Sequence, residues 1–155
     1  FGLDRSIKGI QRWSQDIAEG GYKYHMNNLN AAIGIEQLKN IRELINKHRS
    51  NSAYYDKNIS NPKIEKLRRD ESSESASWIY SLLTEDRENF QSYLSKSGIA
   101  SDWVHVRNDQ YSIFKPFRTE LPNLDYFESR MINIPVGWWL SQKDLEKIVD
   151  SINKF

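Results

Sequence analysis

From Asn28 to about Lys57 the chain repeats apolar residues at three- and four-residue spacing: Leu29, Ala32, Ile33, Leu38, Ile41, Leu44 and Ile45. That period predicts one amphipathic helix with a single buried stripe. Thirty residues of helix span ~45 Å, more than one small domain needs, so the helix is expected to cross an interface or to kink near Arg49 to Ser52. Asn27 or Asn28 is the expected N-cap. The helix closes at the turn residues of NISNP.

The remainder alternates between short strand and short helix signals. KIEKL after Pro62 and Ala76 to Leu83 (ASWIYSLL) read as strands, with the charged run RRDESSES as a turn between them. RENFQSYLSKSG reads as a helix with Phe90, Tyr93 and Leu94 inward and Gly98 as its C′ residue. A strand is expected from about Ile99 to Val106. A loop (SIFKPF to LPNL), a short helix (LDYFESRM) and a strand stub (INIPVG) follow, the last ended or confined to an edge by Pro135. In LSQKDLEKIVDSINKF, Ser141 caps, Asp144 completes a capping box, Leu140 can staple to Leu145, and Leu145, Ile148, Val149 and Ile152 face the core. The sum is an α+β fold: a small, largely antiparallel sheet with packed helices and one long helix in the N-terminal half. Phe1 to Gly21 reads as irregular, and the chain as one domain with no linker that splits it.

Composition narrows the function. Lysine plus arginine (22) balance aspartate plus glutamate (21) in 155 residues, so the broad basic footprint of a nucleic-acid or membrane binder is missing. There is no cysteine, which removes disulfides, thiolate metal sites and cysteine nucleophiles. No long apolar run or export signal is present, and the expected compartment is the cytoplasm. His25, His48 and His105 lack metal-ligand spacing, and no glycine-rich phosphate loop or nucleophile elbow occurs. The opening on Phe1 in mid-pattern suggests a piece of a longer protein.

Two stretches hold residues that packing alone does not require. Tyr22, Lys23, Tyr24, His25 and Met26 precede the first helix: either an ordered loop with solvated Lys23 and His25, or an anion site using a lysine, a histidine and the free N–H groups of a helix start. In SDWVHVRNDQYSIF, Trp103, His105, Arg107, Asn108, Asp109 and Tyr111 crowd the end of the expected strand. If Trp103, His105 and Arg107 share one face by strand alternation, that face suits a sugar ring, a base and a pyrophosphate. The other reading is a turn on Asn108 and Asp109 closed by an Arg107–Asp109 surface pair.

GYKYHMNNLNAAIGIEQLKNI resembles the segment G-Y-N-Y-R-M-x-x-L-x-A-A-I-G-x-x-Q-L of the DegT family of pyridoxal-phosphate sugar aminotransferases. FGLDR and Trp13 to Glu19 are similar to the linker before that segment, KSGIASDWVHVRND to the family's K-x-x-G-I-x-x-x-x-x-H, and LDYFESRMINIPVGWWLSQKDLEKIVDSI to its closing pattern. The resemblance covers essentially the whole chain. It implies the C-terminal part of a fold-type I aminotransferase that moves an amino group, expected from glutamate, to a keto group of a nucleotide-linked sugar, as a homodimer. The lysine that carries pyridoxal phosphate is then expected upstream of Phe1, leaving this chain inactive alone. By the same resemblance Lys23 and His25 touch the cofactor, Lys23 across the dimer interface, where the family usually has asparagine and commonly has arginine respectively. Tyr22, Trp103, His105, Arg107, Asn108, Asp109 and Tyr111 then meet the substrate. The alternatives are a stand-alone α+β binding module, or a related sugar dehydratase in which a histidine replaces the cofactor lysine.

Overall fold

The computed structural model describes Asp16 and residues 26–68 and 73–155. Asn27 caps the first helix, α1 (Asn28–Leu38), its side chain accepting from the Asn30 N–H at 2.8 Å. The expected single long helix is two. At Lys39 and Asn40 the ladder tightens, Lys39 N donating to Glu36 O (3.3 Å) and Asn40 N to Gln37 O (3.2 Å), before α2 (Ile41–Asn58) starts. An asparagine within an otherwise helical pattern is a weak helix former, and the break falls on it rather than at Arg49 to Ser52, where α2 runs unbroken.

The predicted buried stripe is also corrected. α1 has no buried residue, and Leu29 (70 % exposed), Ile33, Ile35 and Leu38 all face outward. Periodicity shows which residues are apolar, and here no described element covers them.

The sheet is three-stranded and antiparallel in the order β1 (Glu65–Lys66), β2 (Tyr80–Leu83), β3 (Met131–Ile134). Tyr80 pairs with Ile134 and Leu82 with Ile132, which places all four on one face, within one core with Tyr55, Phe90, Leu94, Ile148 and Ile152. Leu83 and Met131 are buried on the other face. β3 ends at Pro135, as expected of a residue that cannot donate to a ladder.

Between β2 and β3 lie α3 (Arg87–Lys96) and α4 (Pro122–Arg130). α3 closes as predicted on Gly98 (φ 71°), with Gly98 N donating to Ser95 O (2.9 Å) and Ile99 N to Leu94 O (2.9 Å), the Schellman pair of bonds. SIFKPF, expected as loop, is a 3₁₀ segment (Ser112–Phe117).

The predicted strand from Ile99 to Val106 is absent. Only Asp102 pairs with β3, its N–H and C=O bridging Asn133 at 3.2 and 2.7 Å. The Asp102 carboxylate then takes the Trp103 N–H (2.8 Å), and His105 turns left-handed (φ 62°), so the ladder cannot continue.

The last helix, α5 (Gln142–Lys154), carries the capping box read from sequence: Ser141 Oγ accepts from Asp144 N (3.3 Å) and Ser141 N donates to Asp144 Oδ2 (2.8 Å). Leu140 and Leu145 share the core. The hydrogen bonds from Ser141 hold the Asp144 carboxyl below the usual carboxylate range. A depressed carboxyl stabilises the fold above its unfolded pKa and stops doing so as pH falls through the lower folded value. Ser141→Ala is expected to lower stability at neutral pH, with the deficit shrinking on acidification in urea denaturation.

Candidate functional site

The segment after Asp102 folds back on itself instead of presenting a flat face. Trp103 is half-buried beneath the Arg87 guanidinium, 4.5 Å from its ring centre, and Arg87 Nη1 donates to Glu128 O at 2.5 Å. One face of Trp103 is thus already covered. Arg107 is gripped by Asp109, with Nε on Oδ1 and Nη2 on Oδ2 at 2.6 Å each, and Nη1 meets Asp125. This hydrogen bonding raises the Arg107 pKa and lowers that of Asp109. Two carboxylates thus share the one guanidinium. The turn reading of Asn108 and Asp109 is the one observed: Asn108–Gln110 is a 3₁₀ turn in which Asn108 O accepts from Tyr111 N (3.1 Å), and Arg118 Nη2 donates to Gln110 O (2.9 Å).

His105 departs from this arrangement. It is exposed, its backbone is left-handed, and its ring lies 5.6 Å from that of Trp78 at 54°. The expected common face of Trp103, His105 and Arg107 therefore does not form. Trp78 takes the aromatic place beside His105.

A second set of aromatics adjoins through α2. His48 Nδ1 lies 3.1 Å from the Ser77 carbonyl, and its ring stands edge-on to Trp139 at 6.4 Å. Trp139 lies across Gly137, where an added Cβ would come within 2.1 Å of the indole. Asn51 Nδ2 holds the Val136 and Gly137 carbonyls at 3.1 and 2.9 Å. Trp78, His48 and Trp139 escaped the sequence reading because Trp78 fitted a strand and His48 sat alone on a helix. The repeated tryptophan in PVGWW was the available signal.

Tyr22, Lys23 and His25 lie outside the described residues. The described lysines do not suit covalent attachment of an aldehyde cofactor. All are exposed except Lys66, whose Nζ is spent on the Asp56 and Ile59 carbonyls at 2.7 and 2.9 Å. Among the described residues no group of three metal-capable side chains forms, and no helix is long and apolar enough to cross a membrane. A cavity of about 540 Å³ between Lys63, Asn89, Tyr126 and Arg130 is lined by none of the candidate residues.

Residues 1–153 match the DegT/DnrJ/EryC1/StrS aminotransferase family. The chain is 37 % identical to the sugar aminotransferase CalS13 from Micromonospora echinospora, superposing with a TM-score of 0.81 over 99 % of this chain and 42 % of that one. It is 29 % identical over 148 residues to the GDP-perosamine synthase of Escherichia coli, covering 94 % of this chain and 40 % of the relative. It is 26 % identical over 149 residues to the UDP-4-amino-4,6-dideoxy-N-acetyl-beta-L-altrosamine transaminase of Campylobacter jejuni, covering 90 % and 39 %. The chain thus spans about 40 % of the length of the relatives it matches. With its small antiparallel sheet, its packed helices and a family match along nearly its whole length, the chain belongs to the DegT/DnrJ/EryC1/StrS aminotransferase family.

Proposed function

We propose that this chain is the small-domain part of a pyridoxal-phosphate enzyme that transfers an amino group, from glutamate, to a keto group on a nucleotide-linked sugar. The observation that carries this reading is the family match over residues 1–153, joined to relatives named for transamination of a UDP-linked sugar and for synthesis of GDP-perosamine. Pyridoxal phosphate supplies the electron sink for the amino transfer. The described part of this chain serves the sugar side: His105 sits exposed on the loop after Asp102, free of the ion pairs that occupy Arg107. Residues 1–27 act as linker and interface loop, with Lys23 and His25 reaching the cofactor, Lys23 that of the neighbouring subunit, and with Tyr22 at the substrate. Residues 28–155 form the small domain of a cytoplasmic homodimer. The outward apolar surface of α1 supports the interface assignment, because a helix with no buried residue in this chain needs cover from elsewhere.

The test is a full-length protein carrying this chain, supplied with pyridoxal phosphate, glutamate and a UDP- or GDP-linked keto sugar, with the amino sugar followed by mass spectrometry. His105→Asn removes the imidazole while tolerating the left-handed backbone. It is expected to lower kcat/KM for the sugar by roughly 5- to 150-fold, the equivalent of roughly 1 to 3 kcal/mol, and to leave the glutamate half-reaction nearly unchanged. Equal damage to both half-reactions would remove His105 from the sugar site, and no amino sugar from the parent protein would end the aminotransferase reading.

A further inference from the structure

We infer that Trp78 is the ring on which the nucleobase of the nucleotide-linked substrate stacks, an inference that rests on the aminotransferase reading above. Trp78 combines two properties that rarely coincide: it is 68 % exposed, yet the residues on either side of it in space are fixed. Ser77, directly before it, is buried and left-handed (φ 50°), with its N–H on Ser75 Oγ (3.0 Å) and its carbonyl beside His48 Nδ1 (3.1 Å). His105, whose ring packs on Trp78, is left-handed as well. Ser77 and His105 are the two non-glycine residues of positive φ among those described; the first directly precedes the exposed indole and the ring of the second packs on it. Such backbone conformations cost free energy, and they persist where the geometry they enforce is used. A tryptophan that only filled core would gain more by being buried.

The chemistry of the neighbours selects the base end of the substrate over its phosphates. Arg107 is already paired with Asp109 and Asp125, while the indole of Trp78 packs tilted against the His105 imidazole at 5.6 Å and keeps most of its own surface open. An indole face stacks purine and pyrimidine alike, since every base has a π-face. Trp103 is half-buried with the Arg87 guanidinium over its ring, and Trp139, though about as exposed as Trp78, has no left-handed residue on either side of it in sequence.

The experiment measures calorimetric Kd values of the full-length holoenzyme for UDP, GDP, inorganic pyrophosphate and ribose 5-phosphate. Trp78→Ala is expected to weaken UDP and GDP about 10-fold while leaving pyrophosphate and ribose 5-phosphate unchanged, and Trp78→Phe to recover most of the loss. Unchanged pyrophosphate binding and an unchanged glutamate half-reaction certify that the variant is folded. Stacking at Trp78 is overturned if UDP and pyrophosphate weaken together, if Phe is as damaging as Ala, or if neither variant changes nucleotide affinity. In that last case a parent enzyme that still aminates nucleotide sugars keeps the aminotransferase reading and loses only this assignment. A parent enzyme that aminates none loses both.

Discussion

Tyr55→Ala is expected to remove about 3 to 5 kcal/mol from the stability of this domain, a large share of the ~5 to 15 kcal/mol that holds a typical domain together. Tyr55 is fully buried on α2, its ring meets Tyr80 of β2 edge-on at 5.0 Å, and its hydroxyl donates to the Pro135 carbonyl at 2.8 Å. One side chain therefore joins the helix, the central strand and the exit of β3. Burial pushes the Tyr55 hydroxyl pKa well up, so it stays a neutral donor across the ordinary pH range. Truncation leaves a cavity and an orphaned carbonyl together. Tyr55→Phe separates the two losses and should cost only about 1 to 2 kcal/mol, for the unpaired Pro135 oxygen. Urea denaturation at constant m-value checks both. A loss below ~1 kcal/mol for the alanine variant would show that the core does not depend on this contact.

What could be read before the structure was what the chain specifies locally. The α5 capping box needs only Ser141 and Asp144 three residues apart, the α3 terminus needs only Gly98, and the end of β3 needs only Pro135. These signals act within one turn, so tertiary context does not override them. The strand predicted after Ile99 failed because β-propensity is decided by neighbours: Asp102 found Asn133, but its own side chain then captured the Trp103 N–H. The long helix failed at Asn40, a residue whose cost inside a helix was outweighed on paper by the apolar period.

The candidate site shows the same division. His105 was nominated from sequence and remains the exposed imidazole of its loop. Arg107 and Trp103 were placed on one face by a strand alternation that does not occur, and they pair instead with Asp125 and Arg87, distant in sequence. Trp78, His48 and Trp139 converge only through the packing of α2 beside the segment before β2 and the turn after β3. No spacing rule connects positions 48, 78 and 139.

The second large effect is all-or-none and follows from the aminotransferase proposed above, whose cofactor-bearing lysine would lie outside these 155 residues. The described lysines are solvent-facing or, like Lys66, committed to backbone carbonyls. A lysine that holds an aldehyde cofactor is instead desolvated or electrostatically activated in an enclosed site. Lys23, which falls on the motif where the family usually has asparagine, is read as a phosphate contact acting as a point charge. The decisive measurement is borohydride reduction of the full-length holoenzyme, followed by peptide mapping of the pyridoxyl-labelled lysine. One stoichiometric label is expected on a lysine upstream of Phe1, none on Lys23 or any other lysine of this chain, and no specific label when the 155-residue chain alone is treated with pyridoxal phosphate. A stoichiometric label on a lysine within this chain would contradict that placement.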